Sequence, residues 1–204
     1  MANTRNTMGD QETLDAIIAD RLTSLEEDGV TKLGNRVFYG KKQLRNVNFP
    51  NVRSIGTGAF QNSNIETVSF PEVVEIENAA FNNCVELQEC TFPKLILMNG
   101  NTFRNCTKLT KIEIGATNGT AFDSGCIDDC GLLNALIIRS TQMSELIDPN
   151  EFRQERIGKC GGAIYVPSNL VDTYKSNANW GKYPIASIDD YPLTDFSTIR
   201  DTWS

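Results

Sequence analysis

The residues of this chain that could carry chemistry are its six cysteines and its carboxylates, because the sequence contains no histidine. Histidine is the commonest general base and metal ligand in proteins, and it completes the usual serine and cysteine triads. Paired carboxylates could still perform acid–base chemistry, as they do in glycoside hydrolysis. The acidic residues are, however, scattered over the chain ends and the outward strand positions. The sequence therefore predicts no catalytic residue, no metal site, no cofactor and no enzyme activity.

The cysteines are spaced as buried thiols rather than as ligands. Four of them fall at positions that recur along the chain: Cys84, Cys90, Cys106 and Cys130. A free cysteine at such a position behaves as a small hydrophobic residue, and no CxxC pair is present to hold zinc. Cys126 and Cys160 lie outside this spacing. A disulfide involving Cys160 is the alternative to free thiols throughout.

A repeat organises the chain from residue 30 onwards. Four phenylalanines recur with spacings of 22, 21 and 22 residues: Phe38, Phe60, Phe81 and Phe103. They occupy the same place in four copies of the repeat, 30–51, 52–72, 73–94 and 95–117, and a degenerate fifth copy ends at Thr141. Such periodicity is typical of a solenoid, in which each coil buries its apolar face only against its neighbours.

Each copy contains one segment with the pattern of a strand that has one buried face. In LRNVNFP, IETVSFP, LQECTFP, LTKIEIG and LNALIIR, the first, fourth and sixth positions are apolar. The outward positions form columns, and one column contains Asn48, Ser69, Thr91 and Glu113. This polar column lacks the aromatic residues that dominate protein-binding hot spots. A solvated face is the simpler interpretation, and a binding face is the alternative.

The repeat resembles the BspA-like leucine-rich repeat family. The resemblance rests on SIGTGAFQNSNIETVSFP and EIENAAFNNCVELQECTFP, and the segment GGAIYVPSNLVDTYKSNANWGKY at 161–183 resembles the end of such arrays. It implies an α/β leucine-rich-repeat solenoid of about five repeats, with an N-terminal capping helix and a C-terminal strand–helix closing segment. Members of the family resemble adhesins and attachment modules of bacteria, protozoa and tailed bacteriophages. The family offers no shared catalytic residues, and fold alone does not give function.

The chain divides into four predicted parts. They are a polar N-terminal arm with an amphipathic helix (1–29), the solenoid (30–141), the closing segment (142–188) and an aromatic, acidic tail (189–204). The predicted helix follows Asp10 and presents one apolar stripe, which consists of Leu14, Ile17, Ile18, Leu22 and Leu25. It either caps the open end of the solenoid or joins the protein to another subunit.

The two ends of the chain are predicted to bind partners. The tail contains Tyr191, Phe196 and Trp203, and disordered tails are normally poor in such residues. We expect it to pack on the body of the protein or, preferably, on a partner. The predicted anchors are Phe196 and Trp203 in the tail, with Leu14 and Ile17 in the helix.

The charge is unevenly distributed. The net charge is −7, with −5 in residues 1–29, −3 in residues 189–204 and therefore +1 in the body. A near-neutral body lacks the clustered cations that bind nucleic acid or an anionic membrane. The sequence predicts neither as a partner.

The prediction of function combines the repeat with the N-terminus, which shows no apolar signal segment after Met1. We predict a non-enzymatic virion protein of a tailed bacteriophage, assembled in the host cytoplasm on a tail, baseplate or capsid. It would display a leucine-rich-repeat surface for host attachment. The predicted partners are other virion proteins, further copies of the chain in a homo-oligomer, and a host surface protein or glycan. The alternative is a bacterial surface or secreted adhesin.

Overall fold

Two parallel β-sheets form the body of the computed structural model, which describes residues 7–8, 24–26, 29–147, 157 and 162–191. Among these residues, sheet A contains β1 (Thr7–Met8), β3 (Lys32–Leu33), β5 (Ser54–Ile55), β7 (Glu75–Ile76), β9 (Leu97–Met98), β11 (Ala121–Phe122) and β13 (Glu145–Leu146). Sheet B contains β2 (Ser24–Glu26), β4 (Asn46–Asn48), β6 (Thr67–Ser69), β8 (Glu89–Phe92), β10 (Lys111–Ile114), β12 (Ala135–Ile138), β14 (Ala163–Val166) and β15 (Ile185–Ser187). The chain alternates between the sheets along the array, so each coil contributes one strand to each. This architecture is the predicted solenoid.

The strands of sheet B follow the predicted alternation. In β4 the side chain of Val47 is buried between Asn46 and Asn48, and in β8 those of Cys90 and Phe92 are buried. Successive strands are in register, with Val47 beside Val68. Parallel pairing in register places equivalent residues of neighbouring coils about 4.8 Å apart, so each inward position becomes a continuous row of the core.

Two rows of stacked phenylalanines fill the space between the sheets. Phe38, Phe60, Phe81 and Phe103 have successive ring centroids 4.9, 5.2 and 5.2 Å apart. A second row, Phe49, Phe70 and Phe92, has spacings of 5.7 and 6.2 Å. All seven side chains are buried. Aromatic stacking adds to the stabilisation from burial, so these rows join the coils into one core.

The return limb of each coil turns through residues with positive φ. One set stands two residues before the recurring Phe position: Arg36, Gly58, Ala79, Asn101 and Gly125. The other set stands two residues after it: Gly40, Asn62, Asn83, Asn105 and Asp129. Glycine and asparagine tolerate this left-handed region better than other residues do. This explains why they recur beside the phenylalanines.

Asparagine side chains reinforce these turns from coil to coil. The Nδ2 atom of Asn83 donates to Oδ1 of Asn62, and that of Asn105 donates to Oδ1 of Asn83, both at 2.6 Å. Asn62 in turn donates to the hydroxyl of Tyr39 at 3.0 Å. The row of amides therefore joins the turns of successive coils and stabilises their stacking.

The array is longer than predicted, with about six coils rather than about five. Strand β2 pairs with β4 before residue 30, and β13 extends sheet A beyond Thr141. Leu25, predicted to belong to the N-terminal helix, lies in β2 instead. The return limbs contain two-residue strands of a second sheet, which the sequence did not predict. Leu14 and Ile17, the predicted anchors in the N-terminal segment, lie outside the described residues, and the division of the chain into four parts stays a prediction.

The closing segment ends the array with the predicted strand and helix. After β14, a helix spans Val171–Ser176, flanked by 3-10 helices at Ser168–Leu170 and Trp180–Lys182, and β15 then adds the last strand of sheet B. A third 3-10 helix spans Ile188–Asp190.

Two aromatic side chains of the closing segment bind the backbone of the last coil. The N–H of Ser144 donates to the hydroxyl of Tyr174 at 2.7 Å, and Nε1 of Trp180 donates to the carbonyl of Ser144 at 2.8 Å. Trp180 also contacts Phe122 edge to face, with ring centroids 5.7 Å apart. The closing segment thus satisfies polar groups that the end of the array would otherwise leave unpaired.

Candidate functional site

The surface of sheet B that points away from the core is the candidate binding site, and we call it the outer face. One of its columns runs through Asn46, Thr67, Glu89, Lys111, Ala135 and Ala163, as the strand register requires. The other contains the four predicted face residues, Asn48, Ser69, Thr91 and Glu113, and continues into Ile137 and Tyr165. The structure therefore brings the predicted residues into one line. Their role in binding stays a prediction.

The N-terminal half of the outer face, from β4 to β8, is polar. Thr67, Ser69 and Thr91 are exposed, and Oγ1 of Thr67 donates to Oδ1 of Asn46 at 2.6 Å. These side chains are short and stand on paired strands, so they lose little conformational entropy when a ligand binds. The surface can offer a regular set of hydroxyl and amide groups to a polar ligand.

The C-terminal half of the outer face is largely covered, and on β12 its outward residues are apolar. Ala135 and Ile137 point outward by register but are each only 1% exposed, and the outward Lys111 is 7% exposed. The expectation of a solvated face is therefore wrong for these positions. The reason is visible in the sequence of β12, where the outward positions are themselves apolar.

Tyr191 lies over this covered half. Its ring contacts Tyr165 of β14 edge to face, with centroids 4.8 Å apart. Burial raises the pKa of Tyr191, and its charged surroundings include Lys111, Glu89 and Glu113. The first part of the predicted tail thus packs on the body of its own chain, which is the less favoured of the two alternatives that the sequence leaves open. Phe196 and Trp203 lie outside the described residues.

Ion pairs connect neighbouring coils on the surface. They include Arg45–Glu66 at 3.4 Å, Glu72–Lys94 at 2.5 Å, Glu86–Lys108 at 2.6 Å, Glu89–Lys111 at 2.5 Å and Glu113–Arg139 at 2.5 Å. Except for Glu89–Lys111, in which the lysine side chain is buried, these pairs are exposed, and exposed pairs contribute little stability each. Their main effect is local neutralisation, which leaves the described face without a strong field of one sign.

The thiols belong to the core. Cys84, Cys90, Cys106 and Cys130 are buried thiols, as predicted. The Sγ atoms of Cys84, Cys106 and Cys130 donate to the carbonyl oxygens of Phe60, Phe81 and Phe103 at 3.0, 3.1 and 3.0 Å. Each thiol therefore satisfies a backbone acceptor of the preceding coil.

Burial makes these thiols unreactive, because it disfavours the thiolate. It raises the pKa of Cys84 to about 12 and the pKa values of Cys90 and Cys106 well above their usual range. Cys126, which the spacing of the other cysteines leaves outside the repeat, is also a fully buried thiol. It occupies the row of Ala59 and Ala80, directly before the recurring apolar position, so an alignment of the copies could have found it. Cys160 lies outside the described residues.

The described residues contain no group of three or more Asp, Glu, Cys or His side chains arranged to hold a metal ion.

A surface cleft of about 460 Å³ is lined by Thr31, Asn51, Arg53 and Glu72. Its carboxylate is already paired with Lys94. Tyr183 of the closing segment is 7% exposed and belongs to the core. No helix in the described part of the chain is long and apolar enough to cross a membrane.

Three solved structures are similar to the chain. The pneumococcal vaccine antigen PcpA has a TM-score of 0.59 and 16% sequence identity, with 92% of this chain and 45% of that one covered. A leucine-rich repeat protein of T. pallidum has a TM-score of 0.49 at 24% identity, with 56% and 58% covered. A leucine-rich cell surface protein of Faecalibacterium prausnitzii has a TM-score of 0.43 at 22% identity, with 57% and 39% covered. The chain thus spans between 39% and 58% of the length of these three structures.

A comparison with curated proteins finds no match. Residues 21–156, by contrast, match six copies of the BspA type leucine-rich repeat region. The matched range includes β2 and β13, the two strands that lie beyond the predicted limits of the array. Because the match covers well over half of the sequence and the described fold is the corresponding solenoid, this chain belongs to the BspA-type leucine-rich repeat family.

Proposed function

We propose that this protein is a non-enzymatic binding protein of a bacterial cell surface or of the secreted fraction, and that it attaches to a host or neighbouring surface. The observation that carries the proposal is the polar half of the outer face, where Ser69 and Thr91 stand exposed in one column. Membership of the BspA-type family supports it, as does the similarity in fold to a pneumococcal vaccine antigen.

The geometry of this half suits a polar ligand that contacts several coils at once. Equivalent side chains repeat at about 4.8 Å, so each coil adds a similar set of hydrogen-bonding groups. In the other column Glu89 is the register neighbour of Thr67, and its charge is balanced by Lys111. A glycan or a polar protein segment of the host surface fits these groups better than a polyanion does.

Residence in a phage virion was the sequence-based prediction, and the comparisons offer it no support. The partners that depended on it, other virion proteins and further copies of the chain, stay predictions. We place the bacterial surface first because the pneumococcal relative in fold is, by its description, a vaccine antigen.

The location can be tested on intact cells of the source organism. We expect antibodies against the solenoid to label unpermeabilised cells or to detect the protein in the culture medium. Brief protease treatment of intact cells should remove the cell-bound signal. Detection only in purified phage particles, with cells and medium negative, would contradict the proposal and restore the virion assignment.

Binding by the outer face can be tested with immobilised protein against host-cell extracts and a glycan panel. Ser69→Arg together with Thr91→Arg should abolish any binding, because large cations then crowd the polar column. Thr107→Arg is the matched control, since Thr107 is exposed outside the strands of sheet B. Equal loss in the control, or no loss in the double variant, would exclude the outer face as the binding surface.

A further inference from the structure

The covered half of the outer face carries a second inference, independent of the proposed function. Outward-facing residues of an uncovered sheet are expected to be exposed, yet Ala135 and Ile137 are 1% exposed. Both belong to the central part of an apolar surface that continues into Ala163 and Tyr165 on β14. A surface of this kind is a docking site when the occupant can be identified.

The path of the described chain identifies the occupant. After β15, at the edge of sheet B, the chain passes through the 3-10 helix Ile188–Asp190 and reaches Tyr191. Tyr191 lies not at that edge but over Tyr165 on β14, within electrostatic reach of Lys111 on β10 and Glu89 on β8. The chain has therefore turned back and is crossing the strands toward the N-terminal coils.

The remaining chain has the length and composition to continue in this direction. Residues 192–204 comprise 13 residues and can span at most about 43 Å when extended. The distance from β10 to β2 is about 19 Å at four strand spacings. The segment also contains Leu193, Phe196, Ile199 and Trp203, which suit an apolar surface.

We propose that residues 192–204 dock on the outer face of sheet B of the same chain, over β12 and β10, and cover Ile137. The intramolecular contact is favoured over a second copy because Tyr191 already holds the segment at the surface. A tethered segment of this length has a millimolar effective concentration, which a free partner rarely reaches. The outer face is thus divided into a half that the chain itself occupies and a polar half that remains open.

The test measures how strongly acrylamide quenches the fluorescence of Trp203 in the chain of residues 1–204. The fluorescence of Trp203 is obtained by subtracting the signal of the Trp203→Phe variant from that of the parent. The remaining tryptophan, Trp180, is buried and common to both proteins. In the parent we expect Trp203 to be protected from quenching. Ile137→Asp and Tyr191→Ala should each raise its quenching constant several-fold, whereas Ser69→Asp, in the same column but in the open half, should leave it unchanged.

Ile137→Asp and Tyr191→Ala, the two variants expected to release the segment, act at different places. The test therefore does not depend on the folding of either variant alone. Ile137→Asp alters the sheet, while Tyr191→Ala alters only the segment that crosses it, and circular dichroism verifies the fold of both. The proposal is wrong if Trp203 is equally accessible in the parent and in the variants. It is also wrong if protection disappears on dilution, because the occupant is then a second copy. Neither result bears on whether Ser69 and Thr91 bind a ligand.

Discussion

At the scale of single residues, the phenylalanine row shows how the repeat becomes a core. Phe81 stacks on Phe60 and Phe103 at 5.2 Å on each side, with interplanar angles of 4° and 8°. Its ring therefore belongs to the packing of three coils at once. Removal of one ring affects both neighbours, and the surrounding backbone, held by hydrogen bonds on both sides, can collapse only partly into the space.

We expect Phe81→Ala to lower the free energy of unfolding by about 3–5 kcal/mol, as truncation of a buried phenylalanine usually does. Chemical denaturation followed by circular dichroism measures the change. Tyr39→Ala provides the control, because Tyr39 is an aromatic residue of the return limb that is 38% exposed. Equal losses for the two variants would contradict the stacked core.

The thiols predict a loss of stability at high pH. Cys84 has a pKa of about 12 in the folded protein against 9.0 for a free thiol, so between these values the unfolded chain binds fewer protons than the folded one. Stability then falls as the pH rises through this window, by up to about 1.4 kcal/mol per pH unit for each such thiol.

The measurement is the free energy of unfolding from pH 8 to 10.5 for the parent and for Cys84→Ser. Serine occupies the equivalent place in the preceding coil as Ser63, which is fully buried there, so we expect the variant to fold. The parent should lose stability more steeply than the variant above pH 9. Parallel curves would show that Cys84 ionises normally and is not buried.

At the scale of elements, the short strands of sheet A demand close approach of the backbone. A Cβ atom at Gly56 would lie 2.8 Å from the carbonyl oxygen of Leu33 and 2.9 Å from the amide nitrogen of Asn35. Both atoms belong to the neighbouring coil, and the backbones of the two coils are hydrogen-bonded to each other at this contact. Gly56 donates there to Leu33 at 3.0 Å.

Gly56→Ala should therefore destabilise the protein by about 1–3 kcal/mol, the range typical of forced backbone shifts in a packed core. The matched control is Gly131→Ala, because nothing lies within 4 Å of a Cβ atom at that position. Thermal unfolding of the two variants distinguishes them. A melting temperature for Gly56→Ala equal to that of the control would show that the coils are farther apart than described.

The closing segment makes a separate prediction about hydrogen bonding. Trp180→Phe removes the donor to the carbonyl of Ser144 and leaves a buried acceptor unpaired, which should cost about 1–3 kcal/mol. Hydrogen exchange should show the first opening at β13, since that strand ends sheet A at the closing segment. If exchange instead rises first in β5 and β7, the segment does not protect the end of the array.

How far the sequence predicted these elements depended on the length of the pattern. Strands of sheet B alternate over several residues, and Val47, Val68 and Cys90 were placed inward correctly. Strands of sheet A are two residues long, too short to show alternation, and their pairing with neighbouring coils is what defines them. The sequence does show that Ile137 is an apolar residue in an outward column. Only the described fold shows that this part of the surface is covered.

At the scale of the whole molecule, the array is modular, because each described coil pairs with its immediate neighbours. Deletion of residues 73–94 removes one complete coil and joins two ends in the same register. We expect the shortened chain to fold with a lower melting temperature, since stability in such arrays is nearly a sum over coils and their interfaces. Deletion of 73–83, half a coil, is the control and should not fold. Equal behaviour of the two deletions would contradict the modular array.

The direction of the backbone hydrogen bonds has a mechanical consequence. In both sheets they join one coil to the next, along the axis of the array. A force applied between the first coil and β15 would therefore stretch these bonds and open one ladder at a time, rather than shear many together. Each coil of about 22 residues would then lengthen the chain by roughly 75 Å. Under tension the protein should yield in a series of small, nearly equal steps, extending gradually where a sheared sandwich domain would resist and then fail at once.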